Sequence, residues 1–309
     1  MTIYSGVARP QNVTRGIVLI LATMFVTSVQ DVVFKLYAGN LTLWQIFALR
    51  GILALPILFV LARIQGFHGA VLGMALQKWP LLRALFVTVT FLAFYGAIPF
   101  ISLSTVGAAN YIAPIIVTLL SAYFIGERVG PIGWVAVFVG FAGVVILLQP
   151  GADTFSPWAV LPVIGAGFYA ISHITTRTKC QDVPLAAMVL SLMLVMTVVA
   201  LAVSAMLYIW PPEGALPDAF PYVFGIWSPL GTTECLVLVL LAVFTVVISL
   251  GLAGAYQTAP PAIVATFEYC YLVYAAFWDM FIFESAPGFS TITGMVLIVG
   301  AGLMLLKRK

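Results

Sequence analysis

Almost everywhere along this chain, an apolar run of about 20 residues ends at a proline, a glycine or a charge, and another begins. That is the length a helix needs to cross a bilayer core. Ten such runs lie at 16–37, 42–64, 80–101, 104–125, 131–149, 157–177, 184–210, 234–257, 260–283 and 289–306. Proline opens several of them (Pro80, Pro131, Pro157, Pro184 and Pro260), where the first turn of a helix tolerates it. Most links are short. The exception, 211–233, is rich in Pro, Gly and aromatic residues and is expected to lie along the membrane interface. Only 7% of residues are charged and 63% are hydrophobic, whereas a soluble domain carries about 25% charged residues. The deficit runs the length of the chain, which excludes a soluble enzyme with one anchor, a disulfide scaffold and a disordered or nucleic-acid-binding chain. The expected fold is an all-α integral membrane protein with ten transmembrane helices.

Cys180, Cys235 and Cys270 are far apart in apolar context and are expected to be small buried hydrophobes; no cysteine or histidine cluster offers a metal site. Arg9 and Arg15 precede an apolar run longer than a secretory signal core, and no small-residue cleavage site follows it, so no cleaved signal is expected.

Basic residues set orientation. With the N-terminus inside, cytoplasmic ends and loops collect Arg9, Arg15, Arg63, Lys78, Arg83, Arg128, Arg177, Lys179, Lys307, Arg308 and Lys309. The opposite loops, including the long one with Glu213 and Asp218, hold no Lys or Arg. The asymmetry requires an even number of spans and places both termini in the cytoplasm.

The two halves, 1–150 and 151–309, echo each other at an offset of 157 residues. Gly126-Glu127 ends the fourth span and Phe283-Glu284 the ninth; sixteen residues after each glutamate stands Gly143 or Gly300. Five spans per half is an odd number, so the second copy enters from the opposite side. Inverted repeats of this kind place a substrate site between the halves near the midplane.

The segment "LSTVGAANYIAPIIVTLLSAYFIGERVGPIGWVAVFVGFAGVVILLQPG" (103–151) resembles the end of the first repeat of the drug/metabolite transporter superfamily, EamA type. "PPAIVATFEYCYLVYAAFWDMFIFESAPGFSTITGMVLIVGAGLMLL" (260–306) resembles the end of its second repeat, and "RALFVTVTFLAFYGAIPFISLSTVGAAN" (83–110) its third and fourth spans. The resemblance implies a ten-helix carrier of the bacterial inner membrane with a central cavity. Spans 3–4 and 9–10 also resemble the riboflavin-uptake members of that family. The second repeat departs in having Ser285 where the first has Arg128, as expected on the outer side.

Charges at membrane depth usually face a protein interior or a cavity. Thr23, Thr27, Asp31 and Lys35 recur every four residues on one face of the first span: a cavity wall, or a self-neutralising Asp31–Lys35 pair. Arg50 lies about 12 Å into the second span and needs a carboxylate, carbonyls or an anionic ligand, with Asp31, Glu268 and Asp279 as candidate partners. In the ninth span Glu268 sits near mid-depth, Tyr271, Ala275 and Asp279 follow on its face, and Phe267, Tyr274 and Trp278 adjoin them. Glu268 can carry a coupling proton, since burial disfavours a carboxylate's charge, or pair with a cationic substrate or Arg50. The aromatic residues can stack a planar ligand or simply pack.

Weaker stripes are Asn110, Pro114, Thr118 and Ser121; Tyr169, Ser172, His173 and Thr176; and Thr245, Ser249 and Tyr256. His173 reads equally as a hydrogen-bonded packing residue, and the Ser and Thr hydroxyls bond their own helix as readily as a ligand. Gly140 with Gly143, Gly300 with Gly302, and Gly107-Ala108-Ala109 read as close helix contacts.

No phosphate-binding loop and no hydrolase motif is present, so energy must come from a gradient, and no cofactor or metal is expected. The expected partners are a small-molecule substrate, the lipid bilayer and protons as candidate coupling ion, with a homodimer as an option and no nucleic acid. Aromatic residues together with Arg50 and Lys35 suit a planar, polar, sometimes anionic molecule, with uptake of a vitamin such as riboflavin as the leading reading. Export of amino acids or similar amphipathic metabolites is the second reading; an intramembrane enzyme, a channel or an assembly protein are remote ones.

Overall fold

The structure is a computed structural model and describes residues 12–37, 41–64, 70–97, 111–148, 158, 160–212, 214, 217, 220–282, 284 and 288–306. Among them every regular element is helical: α1 (Val13–Tyr37), α2 (Leu43–Ile64), α3 (Ala70–Ala75), α4 (Lys78–Ala97), α5 (Ala113–Leu120), α6 (Pro131–Leu148), α7 (Val160–Lys179), α8 (Leu185–Ile209), α9 (Pro221–Phe224), α10 (Thr232–Thr258), α11 (Pro261–Glu268), α12 (Cys270–Ile282) and α13 (Phe289–Leu306). Helices α1, α2, α8 and α10 are long and apolar enough to cross a membrane, and shorter apolar helices cover Ala113–Ile125, Pro131–Ile146 and Ile292–Met304. Helix is the form that satisfies each backbone amide and carbonyl within its own segment where no water is at hand.

Proline and glycine set several boundaries. Helix α6 begins on Pro131, α8 follows Pro184, and α11 starts at Pro261 behind Pro260. Helix α5 runs into a π-helical turn, Ser121–Ile125, which Gly126 ends at φ +74°, a conformation that costs a residue without Cβ nothing. The predicted ninth span divides at Tyr269, between α11 and α12, where the Leu272 amide donates to the Tyr269 carbonyl at 3.1 Å. Glu268 is the last residue of α11.

The helices pair across the chain. Helix α6 packs on α13, α2 on α8, α4 on both α7 and α8, α10 on both α1 and α2, α5 on α7 and α11, and α1 on α11 and α12. Close approach is decisive along α6: a Cβ on Gly143 would stand 2.8 Å from the Gly294 carbonyl of α13, and one on Gly140 2.6 Å from the ring of Tyr269, between α11 and α12. Gly302 approaches Phe267, but Gly300 has nothing within 4 Å, so the expected contact there is absent. The Gly107-Ala108-Ala109 contact lies outside the described residues.

In the long link, α9 seals the start of α2. Trp44 Nε1 donates to the Val223 carbonyl at 2.8 Å, while Gln45 donates to the Ser228 carbonyl at 2.8 Å and accepts from its amide at 3.0 Å. Cys180 is buried and Cys270 partly so, but Cys235 is exposed, because it lies in the first turn of α10 rather than in a packed seam.

Candidate functional site

Glu268, the last residue of α11, stands where that helix meets α7 and α10. Its Oε1 accepts from the Tyr256 hydroxyl of α10 at 2.7 Å and from the Tyr169 hydroxyl of α7 at 3.1 Å. Glu268 is 7% exposed, so these donors replace the water that a carboxylate would otherwise bind. His173 lies against both tyrosines, stacked on Tyr256 with ring centroids 3.8 Å apart and edge-on to Tyr169 at 4.2 Å. Arg83 of α4 reaches the same region: its Nε donates to Thr176 Oγ1 at 2.8 Å, one turn from His173.

Arg83 thus departs from the expectation of an interfacial cation: it is only 2% exposed. It stands one turn into its helix, where sequence does not separate a cation snorkelling to water from one turned inward. The hydroxyl and aromatic stripe of the sixth span did carry a signal, since Tyr169, His173 and Thr176 share the face that meets Arg83 and Glu268.

A second cluster gathers around Asp31. The Tyr271 hydroxyl donates to Asp31 Oδ2 at 2.5 Å, and the charge of Arg50 acts on the same carboxylate. The Arg50 guanidinium lies 5.1 Å from the centre of the Phe47 ring. Of the acids considered for Arg50, Asp31 is the one on which its charge acts, whereas Glu268 is held by tyrosines. Tyr271 stacks with Tyr111 at 6.4 Å, Trp278 Nε1 donates to Ser28 Oγ at 2.9 Å, and Phe25 meets Tyr274 and Trp278. The aromatic face of α12 is thus packed against α1 along part of its length. The side chains of Lys35 and Asp279, and all of Asn110, lie outside the described residues.

Most hydroxyls in the stripes bond their own helix: Thr23 to the Leu19 carbonyl, Thr27 to Thr23, Thr118 to Pro114, Ser172 to Tyr169 and Thr245 to Leu241. Thr176 does so too, and additionally accepts from Arg83. Ser121 instead donates to Glu127 Oε2 at 2.6 Å.

A third polar group ties the ends of α5 and α7. Glu127, in the loop after the π turn, stands 3.7 Å from Arg177 Nε, and Arg177 Nη1 donates to the Gln257 carbonyl at 2.8 Å. Burial pushes the Glu127 carboxyl above its ordinary value, outweighing the Ser121 hydroxyl and the Arg177 charge, which pull it down. Sequence gave Glu127 only as a repeat marker; its partner, about 50 residues away, follows no local pattern. Among the described residues no group of His, Cys, Asp and Glu could hold a metal.

Residues 14–149 match the EamA-like transporter family. The riboflavin transporter of Brucella anthropi is 24% identical over 65% of this chain and 66% of its own length. The S-adenosylmethionine uptake transporter of Rickettsia felis is 24% identical over 94% of this chain and 92% of its own. The pseudopaline exporter CntI of Pseudomonas aeruginosa is 23% identical over 95% and 96%. A crystal structure that is 18% identical superposes with a TM-score of 0.76, covering 96% of this chain and all of its own, a likeness of fold.

Proposed function

We propose, from the premise that this chain carries an EamA-family domain over residues 14–149 and is a membrane transporter rather than an enzyme, that it is a proton-coupled secondary carrier of a planar polar metabolite. Its ten spans form two inverted halves, 1–150 and 151–309, in a bacterial inner membrane with both termini cytoplasmic. The helix pairing supports the repeat. Exchanging α1, α2, α4, α5 and α6 with α7, α8, α10, α11–α12 and α13 turns the α4–α7 pairing into α10–α1, α4–α8 into α10–α2, and α5–α7 into α11–α1, all of which occur. Pairs α6–α13, α2–α8 and α5–α11 map onto themselves.

The observation that carries the reading is Glu268, buried inside a membrane span and held by tyrosines from α7 and α10. An ionisable side chain inside a membrane span is a default candidate for a proton relay, and a carboxylate held by hydroxyls from two other helices can take up and release a proton as those helices exchange partners. The Asp31, Arg50 and Tyr271 group on α1, α2 and α12 supplies charge and hydroxyls for a polar substrate, with Tyr111 and Trp278 beside it for ring contact.

Uptake of riboflavin is the first substrate to test, in keeping with the Brucella relative. Export of an amino-acid-like metabolite is favoured by a separate observation, the near full-length match to a pseudopaline exporter. Radiolabelled riboflavin is offered to proteoliposomes holding the full chain under an imposed proton gradient. Saturable, gradient-dependent accumulation is expected for uptake; accumulation no greater than in empty vesicles overturns riboflavin uptake. Resistance to toxic amino-acid analogues in cells expressing the chain then decides for export.

A further inference from the structure

Nearly all buried polar atoms in a folded protein have a partner, so several orphans in one place call for an occupant. Arg83 Nη1 and both ring nitrogens of His173 are buried and have no hydrogen-bond partner among the described residues. The two side chains belong to one region: Arg83 Nε is fixed by Thr176, one turn from His173 on α7, and the Arg83 charge acts on both His173 and Tyr169. A guanidinium keeps its charge, and a buried charge without a counter-charge is strongly destabilising. Glu268 does not fill that role. Its Oε1 is taken by Tyr169 and Tyr256, and among the described residues Arg83 makes no ion pair.

We propose that Arg83 and His173 form a buried oxyanion subsite, on the α4–α7 side of Glu268, that takes the carboxylate of a transported substrate. The proposal rests on the transporter reading above and deepens it. One free guanidinium nitrogen and an imidazole able to donate from either nitrogen match the two oxygens of a carboxylate. A doubly charged tetrahedral anion would bring more negative charge than one guanidinium offsets, with Glu268 nearby. Tyr169 and Tyr256 join the subsite to the coupling carboxylate, since the rings that cover His173 carry the hydroxyls that hold Glu268. The subsite therefore distinguishes members of the planar polar class that carry a carboxylate from neutral ones such as riboflavin, which would leave it empty.

The test uses the purified full chain in nanodiscs and sodium acetate as probe, against sodium chloride at equal ionic strength, with the melting temperature as readout. A ligand that binds the folded state raises its stability in a saturable way. A saturable rise is expected for the wild type and for Arg63→Gln, which removes an exposed cation; it is expected to vanish in Arg83→Gln and to weaken in His173→Gln. Should Arg83→Gln fail to fold, Arg83→Lys keeps the charge but loses the guanidinium, and its acetate midpoint should weaken about tenfold, the effect of one charged hydrogen bond. No saturable rise in the wild type, or an unchanged rise in the Arg83 variants, overturns the subsite. Because acetate binding is read without transport, its failure leaves the carrier reading standing, and failed riboflavin uptake leaves the acetate result intact.

Discussion

Two tyrosines on one carboxylate oxygen are not equivalent when one hydrogen bond is 2.7 Å and the other 3.1 Å. A hydrogen bond to a charged group contributes about 1.5–3 kcal/mol, so Tyr256→Phe should lower gradient-driven uptake by roughly tenfold or more and Tyr169→Phe by less. Glu268→Gln keeps the shape and removes the titrating group, and should leave exchange of substrate across the membrane while abolishing accumulation against a gradient. Counterflow and proton-driven uptake, measured in the same proteoliposomes, separate these outcomes; accumulation undiminished in Glu268→Gln removes that residue from coupling. Glu268 was legible because a charge eight residues inside an apolar run has few structural uses. Tyr256 was legible only as part of a stripe, since an aromatic hydroxyl in such a run shows its partner only when the helices are assembled. Arg83 was hidden by its place near a span end, where inward and outward cations look alike.

Among the elements, the two glycines that sequence aligned as equivalents, Gly143 and Gly300, differ in contact. Gly143 on α6 faces the Gly294 carbonyl of α13, so any Cβ there pushes the helices apart, while Gly300 on α13 faces open space. Overpacking costs about 1–3 kcal/mol, whereas replacing an unconstrained helical glycine by alanine gains about 0.5–1 kcal/mol. Gly143→Ala should therefore lower the melting temperature of the detergent-purified protein and Gly300→Ala should hold or raise it; equal effects would mean that the α6–α13 contact is looser than its geometry. The long apolar helices α1, α2, α8 and α10 were readable because apolar run length is set by the bilayer. The irregular turn at Tyr269 was not, because no proline or glycine marks it and it involves a single residue that keeps a right-handed helical conformation.

At the scale of the molecule, the exchange of helix pairings between halves and the placement of basic residues are separate constraints that must agree. An inverted repeat with five spans per half needs both termini on one side and the 211–233 link on the other. The charge pattern asks for the same arrangement: Lys307, Arg308 and Lys309 end the chain, while 211–233 has no Lys or Arg. Arg83 and Arg177 turn inward in the structure, with exposures of 2% and 9%, so they do not contribute to orientation as surface cations do. Nine of the eleven basic residues remain, against none outside, and the rule still favours the same side. A phosphatase fusion, active only outside the cytoplasm, should be active when inserted within 211–233 and silent after residue 309, with a green fluorescent fusion giving the reverse. If both fusions reported the same side, an even number of spans would separate 211–233 from residue 309; the second half could then not hold the five spans that an inverted copy of the first requires, and the pairing symmetry of α4–α7 with α10–α1 would need another origin.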